Sequence, residues 1–278
     1  MEPELPFALR EKAFLELNET SENLQDGIAK LRKLIQNEPN LRCKTDTQFL
    51  LKFLRARKFD TDRAFQLLKQ YFTVRKNNPA LFSDLLPSKH SKLLDMGAQA
   101  VLNERDANGS KIYVFRLKNC DMTAITVEDI FKTNLIALEI LSLEPETQIA
   151  GMTALIDLNG FTVKQHLKLL SPYIAKWSIN LIQESFPLRF CAFHVINQPI
   201  YFDAIFATIK PFMKRKLKKR IHFHGANMTS LYENFNKDLL PVEYGGNQIL
   251  DTSAWKNRLL SKESMFKEME EYGYKMDS

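Results

Sequence analysis

Residues 153–158, Thr-Ala-Leu-Ile-Asp-Leu, form a short apolar run that stops at Asn159-Gly160. Residues 190–196, Phe-Cys-Ala-Phe-His-Val-Ile, form a second such run. Both read as buried strands. Working outward, residues 111–117 read as an earlier strand, led in by the turn at Asp106-Ala-Asn-Gly109, and residues 221–224 as a last one. Helical patterns lie between them over 127–143, 164–183 (with Pro172 near a break) and 200–219. Strands alternating with helices predict an α/β domain with parallel strand pairs. The stretch 241–246, Pro-Val-Glu-Tyr-Gly-Gly, closes it.

Upstream, to about residue 85, the pattern predicts only helices. Leu24, Ile28, Leu31 and Ile35 recur at helical spacing. Asp46 is placed to cap a helix carrying Phe49, Leu50, Phe53 and Leu54, and Asp60 to cap one carrying Ala64, Phe65, Leu68 and Phe72. So small a helical domain buries little alone and is expected to pack on the α/β domain. The expected division is a helical domain over 1–88, an α/β domain over 89–248 and a polar tail over 249–278, with a surface helix near 261–272.

The chain has 278 residues, 45% apolar and 26% charged, which are globular proportions. No uninterrupted apolar window of about 18 residues occurs. The first sixteen residues carry four Glu and no apolar core, so no signal peptide is expected. Cys43, Cys120 and Cys191 lack metal-like spacing and read as reduced thiols of a cytoplasmic protein. Phosphate-binding glycine loops and the G-x-S-x-G elbow are absent, which argues against an enzyme. His222 and His224 fall on one face of a strand. They read as structural histidines or as half of a metal site whose third ligand is not evident nearby. His194, within an apolar run, reads as a core histidine. Neither a metal nor a cofactor is expected.

Residues 200–220 carry the functional argument. Phe202, Ile205, Phe206, Ile209, Phe212, Met213 and Leu217 follow 3–4 spacing, and Pro211 should kink or split the helix. Residues 214–220 then hold six basic side chains and no acid, equal to the whole net charge of +6. An aromatic amphipathic helix with a cationic end has the composition of a membrane-surface element. It also fits a core helix with a solvated end. Nucleic-acid binding is disfavoured, because no aromatics interleave with the charges.

Six stretches together resemble the CRAL-TRIO lipid-binding family in order and spacing over roughly residues 20–247. They begin at Phe53 (Phe-Leu-Arg-Ala-Arg-Lys-Phe-Asp), Asp157 (Asp-Leu-Asn-Gly), Ser185 (Ser-Phe-Pro-Leu), His194 (His-Val-Ile-Asn-Gln-Pro), Ile221 (Ile-His-Phe-His-Gly) and Leu240 (Leu-Pro-Val-Glu-Tyr-Gly-Gly). The likeness is strongest to the tocopherol carriers, with retinaldehyde carriers and clavesins nearby. It implies a mixed, mainly parallel sheet flanked by helices, a small helical domain before it, and an apolar cavity closed by a mobile gate helix. The gate positions are Phe202, Ile205, Ile209, Phe212 and Met213. The cavity positions are Phe131, Leu135, Ile156, Val163, Leu181, Ile182, Phe186 and Leu188. Asn134 and Leu138 stand where tocopherol carriers have two serines near the ligand hydroxyl. A phosphoinositide headgroup site is implied at Arg57, Arg189, Lys216 and Arg220, with Lys218 beside them, and a further basic position of that site falls on Cys191.

The expectation is therefore a monomeric carrier of a tocopherol-, retinoid- or carotenoid-like lipid. It would dock reversibly on anionic endosomal or other membranes through phosphoinositides. A phosphoinositide-sensing adaptor with a bound lipid, or a lipid-modifying enzyme, are the alternatives.

Overall fold

The caps expected at Asp46 and Asp60 form. The computed structural model describes residues 5–160, 162, 163, 165 and 172–275. In it, Asp46 accepts the Phe49 N–H and Asp60 the Arg63 N–H, each at 3.0 Å. These caps open α3 (Thr47–Ala56) and α4 (Thr61–Asn77), which pack with α2 (Ser21–Gln36). Ile28, Leu31 and Ile35 of α2 meet Leu50, Phe53 and Leu54 of α3 and Phe65, Leu68 and Phe72 of α4. α1 (Phe7–Leu17) lies elsewhere, with Ala13 and Leu17 buried against Ile149. Short helices α5 (Pro79–Phe82) and α6 (Ser91–Asp95) lead into the second domain.

Among the described residues, five strands form one sheet in the order β2 (Gln99–Arg105), β3 (Lys111–Arg116), β4 (Met152–Asp157), β5 (Phe190–Ile196), β6 (Ile221–Gly225). Strands β3 to β6 run parallel, as the alternation predicts. β2 is antiparallel to β3. The alternation does not reveal it, because exposed Asn103 and Glu104 interrupt its apolar pattern. Gly151 sits at φ +87°, and a Cβ there would lie 2.5 Å from both Arg189 O and Cys191 Sγ. Only glycine lets the start of β4 enter so close to β5.

Crossover helices cover the sheet. α7 (Val127–Ser142) opens on a capping box between Thr126 and Asp129, and α8 (Pro145–Ala150) follows it. Of the helix expected over 164–183, positions 164 and 166–171 lie outside the described residues. The rest is α9 (Pro172–Asn180), which runs into a π-turn at Leu181–Ser185. The long helix expected over 200–219 is split as Pro211 predicts. α10 (Phe202–Ile209) ends in a 3₁₀ turn at Lys210–Phe212, and α11 (Arg215–Lys218) follows.

Three of the quoted stretches meet at one carboxylate. Asp157 accepts the Asn159 N–H at 2.9 Å, the Asn197 side-chain amide at 2.8 Å and the Tyr244 hydroxyl at 3.0 Å. Gln198 similarly accepts the Gly225 N–H at 2.9 Å. These residues hold the strand ends together. The histidines share one face of β5 and β6. His194 Nδ1 lies 2.9 Å from His224 Nε2, His224 Nδ1 lies 2.9 Å from Ser230 Oγ, and the His194 and His222 rings stack at 4.8 Å. His194 is thus the core histidine expected, and it joins the pair that the sequence left without a neighbour.

The segment expected as a polar tail is integral to the fold. After α12 (Met228–Tyr232), helices α13 (Thr252–Leu260) and α14 (Glu263–Met269) bury Trp255, Leu259 and Phe266 in the main core. Strand β7 (Gly273–Tyr274) then pairs antiparallel with β1 (Leu41–Arg42) of the helical domain. The surface-helix reading overlooks Trp255, Leu259 and Phe266, whose spacing already marks an inward face.

The two domains join through buried charge. Glu139 of α7 accepts the Tyr71 hydroxyl at 3.0 Å, lies 3.5 Å from Lys52 Nζ, and pairs with Arg75. Lys52 is enclosed by the rings of Phe49 and Tyr71, 4.5 and 4.8 Å away. Burial pulls its pKa down, while Glu139 pulls it back up. Replacing Glu139 with Ala would leave two cations without their counter-charge. A loss of about 3–5 kcal/mol is expected in denaturant unfolding, and a variant as stable as the parent would show that the network holds nothing.

Burial, reinforced by the His222 and His224 imidazoles, pushes the His194 pKa down to about 3. The unfolded chain, with an ordinary histidine near 6.5, then takes up a proton that the folded chain refuses. The stabilisation is whole above pH ~6.5 and is lost as pH falls, by at most about 1.4 kcal/mol per unit. His194→Gln should flatten the decline in thermal stability between pH ~6.5 and ~5. An unaltered slope would exclude His194 as its source.

Candidate functional site

The strand faces that look toward α7 and α9 leave space between them. The rungs Tyr113↔Ala154, Phe115↔Ile156, Met152↔Phe190 and Ala154↔Phe193 make the floor. Phe131, Asn134, Leu135 and Leu138 of α7 make one wall. Ala175, Trp177, Ile179, Leu181 and Ile182 make another, and Ile209 and Met213 the outer cover. The cavity measures about 370 Å³, within the roughly 300–1,000 Å³ usual for small-molecule sites.

The cavity gathers Phe131, Asn134, Leu135, Leu138, Ile156, Leu181 and Ile182 from the expected set. Three others lie elsewhere. Val163 is 56% exposed and outside the cavity lining. Phe186 is buried behind the wall, its ring 6.2 Å from Tyr71. Leu188 follows the π-turn and faces the basic pocket described below. The strand positions Tyr113, Phe115, Met152, Ala154, Phe190 and Phe193 were not singled out from sequence. Their two-residue spacing within each run carries the signal, broken only at the bulge between Phe190 and Phe193. Trp177 was missed too. Its ring is held edge-on by Phe131 at 5.9 Å and tilted on Phe82 at 6.1 Å.

One polar cluster touches this apolar space. The Tyr113 hydroxyl donates to Asn134 Oδ1 at 2.6 Å, and its oxygen lies 2.6 Å from the Gln99 side-chain amide. Gln99 Oε1 is thus a second acceptor for that hydroxyl, which has one proton to share between the two. Asn134 also donates to Ile130 O at 2.7 Å. It keeps one amide proton for a polar group in the cavity.

The gate residues divide into three roles. Phe202 and Ile205 are anchored among Leu117, Ile130, Leu158 and Val195, rather than over the cavity. Ile209 and Met213 cover it, packed with Ala175, Ile179 and Leu217. Phe212 faces outward, with Lys176 Nζ 5.9 Å from its ring. The far end is latched at the π-turn. Gln183 Oε1 accepts the Lys214 N–H at 2.6 Å, its amide donates to Phe212 O at 3.3 Å, and Glu184 pairs with Lys214.

Directly behind Ile182 and Phe190, which line both spaces, lies a basic pocket of about 240 Å³. Arg57, Arg189, Lys216 and Arg220 are all there, joined by Lys58 and Lys214. Lys218 is exposed outside it, because the short α11 turns it away from Lys216. Lys58 and Phe59 both adopt left-handed φ, 55° and 59°. This unfavourable turn presents Arg57 and Lys58 to the pocket. Cys191 also lines it, and its thiol lies 3.2 Å from Ala150 O. Burial lowers the Lys216 pKa, and Arg220, Lys58, Arg189 and Arg57 lower it further by repulsion. An anion among these groups would relieve that repulsion. No group of three His, Cys, Asp or Glu among the described residues is placed to hold a metal ion. Nor is any described helix long and apolar enough to cross a membrane.

Residues 95–246 match the CRAL/TRIO domain family. The chain belongs to the CRAL-TRIO family of lipid-binding and transfer proteins. Residues 20–91 match the Pinta-like UBA domain. Among similar proteins, clavesin-1 of Rattus norvegicus is 41% identical over 255 residues, spanning 90% of this chain and 72% of the clavesin. Clavesin-2 of Homo sapiens is 38% identical over 263 residues, spanning 91% and 78%. The crystal structure of Sfh5 shares the fold, with a TM-score of 0.53 at 15% identity, covering 89% of this chain and 99% of that one. The match places this CRAL-TRIO chain's cavity and basic pocket within or beside the region that defines the family.

Leu138 is half-buried and lines the cavity wall. Leu138→Trp should fill the space, at a stability cost of about 1–3 kcal/mol. Fluorescence of an added apolar probe such as anilinonaphthalene sulfonate should fall sharply, with the circular dichroism unchanged. Full probe uptake would mean that the cavity is not the binding space.

Proposed function

We propose that this protein carries one hydrophobic molecule in the cavity and delivers it at membranes whose anionic headgroups enter the basic pocket. The observation that supports this most is the shared wall. Ile182 and Phe190 line both the apolar cavity and the pocket, and Leu217 links the pocket to the packing under Ile209 and Met213. An anion drawn toward Lys216 and Arg220 acts on the same short segment that closes the cavity. If it prefers the open arrangement, it shifts the population toward release. In transit the cavity removes a large penalty, since each CH₂ exposed to water costs about 0.8 kcal/mol.

Asn134, held by Tyr113, favours a ligand with one polar group able to accept a hydrogen bond, as in a tocopherol or a retinoid. Leu138 supplies no second such contact. Phosphoinositides fit the pocket through several phosphate charges, and attachment is peripheral and reversible on endosomal or other cytoplasmic surfaces. The protein then acts as a carrier, monomeric and without cofactor or catalysis.

The test is ligand transfer between donor vesicles and phosphoinositide-containing acceptors. Each Lys near an anionic surface contributes about 1 kcal/mol, so Lys58→Ala with Lys216→Ala should weaken docking by about 2 kcal/mol, roughly thirtyfold. Lys218→Ala, outside the pocket, should change delivery much less. Delivery by the double variant with undiminished dependence on phosphoinositide would sink the proposal.

A further inference from the structure

α1 has two apolar faces. Leu9, Ala13 and Leu17 recur every fourth residue and pack inward, toward Ile149 and the turn at Gly109. Phe7, Phe14 and Leu15 fall on the opposite side of the helix and are 73%, 56% and 67% exposed. A helix inside a water-facing surface ordinarily turns polar residues outward. The described residues hold ten large exposed hydrophobics. Three are on α1, and four more, Val163, Tyr173, Ile200 and Phe212, lie before or in the first turn of α9, or just before or after α10. The rest are scattered singly, so exposed apolar surface concentrates in these two places.

The basic pocket joins both places. Lys214 and Leu217 at the gate end line it on one side. Arg189 lines it on the other, and its guanidinium donates to Glu16 of α1 at 2.7 Å. Glu16 also pairs with Lys12 at 3.2 Å. The Arg189 contact is the first cause of the lowered Glu16 pKa, so the link stays ionised. α1 is thereby pinned to the rim of the pocket.

We infer that α1 is a second membrane-docking element, whose Phe7, Phe14 and Leu15 enter the surface of an anionic bilayer when a lipid headgroup occupies the basic pocket. This rests on the reading of that pocket as a headgroup site. Aromatic and leucine side chains suit the headgroup–acyl boundary; α1 itself balances Arg10 and Lys12 against Glu11 and Glu16, so the cations that would draw it to the bilayer are those of the pocket rim. The lipid surface is favoured over a protein partner by continuity, since the cations at the rim and the α1 face would meet one sheet of charge backed by hydrocarbon.

The full chain is tested by co-sedimentation with phosphatidylcholine vesicles, with and without a phosphoinositide, and by titration with a soluble inositol polyphosphate. A triple variant, F7S/F14S/L15S, changes only exposed side chains, and its melting curve reports folding. It should lose about tenfold or more in affinity for phosphoinositide vesicles, while inositol polyphosphate binding stays unchanged. The leucine form, F7L/F14L with Leu15 retained, should keep vesicle binding. The K58A/K216A variant should lose both readouts. If the triple serine variant binds vesicles as the parent does, while K58A/K216A does not, α1 docking is overturned and the pocket reading stands. If the parent binds neither vesicles nor inositol polyphosphate, both fall. If the serine variant alters only self-association in sedimentation velocity, the face belongs to a second copy and the inference is overturned.

Discussion

Glu139 is the carboxylate on which the two domains depend. It lies in the last turn of the helix that walls the cavity, yet its partners Lys52, Tyr71 and Arg75 all come from the helical domain. A buried carboxylate is tolerated only where charge and hydrogen bonds surround it. The helical domain supplies that surround and cannot drift without stripping it. It also fixes α7 in rotation, which decides that Asn134 and Leu138 face the cavity and that the polar side of α7 does not. The placing of ligand-facing residues is thus set by a contact about a quarter-turn round the same helix.

The sheet separates the cavity from a second apolar cluster, around Ile112, Val114, Leu155 and Leu240, that a histidine layer borders. On one face, aromatic and aliphatic side chains line the cavity. On the other, His194, His222 and His224 form a stacked, hydrogen-bonded polar layer. Alternation along β5 sends Phe193 to the first face and His194 to the second. The bulge between Phe190 and Phe193 lets both aromatics reach the cavity despite their three-residue separation. The thin side of the cavity lies under Ile209 and Met213, where a broken helix and a π-turn replace regular structure. Such irregular elements open at lower free energy than the strands beneath them.

The buried strands and the capped helices were legible in sequence because short-range rules govern them. Asp46, Asp60 and Pro211 each act within a few residues of themselves. The family's recurrent stretches were legible as a pattern, but not their reason. That Asp157, Asn197 and Tyr244 meet is a long-range fact without local trace. The same limit explains the site. Helical cavity positions such as Asn134 and Leu138 could be carried across from relatives. Tyr113 and Phe193 needed the strand register, and Lys58 needed the left-handed turn that aims it. Val163, Phe186 and Leu188, carried across from the same resemblance, went astray because a matching position does not fix which space a side chain faces. The C-terminal helices were misread because charged residues dilute the pattern of Trp255, Leu259 and Phe266.

The pairing of β1 with β7 joins residues 41–42 to residues 273–274. During synthesis the helical domain emerges early, but this edge stays open until residues 273 and 274 have left the ribosome. Closing so long a loop is slow relative to local helix formation. A chain interrupted anywhere before β7 keeps an unpaired edge at Leu41 and loses the Tyr274 contact with Glu38. Chains that stop short of β7 would therefore present a different surface at this edge from chains that carry it.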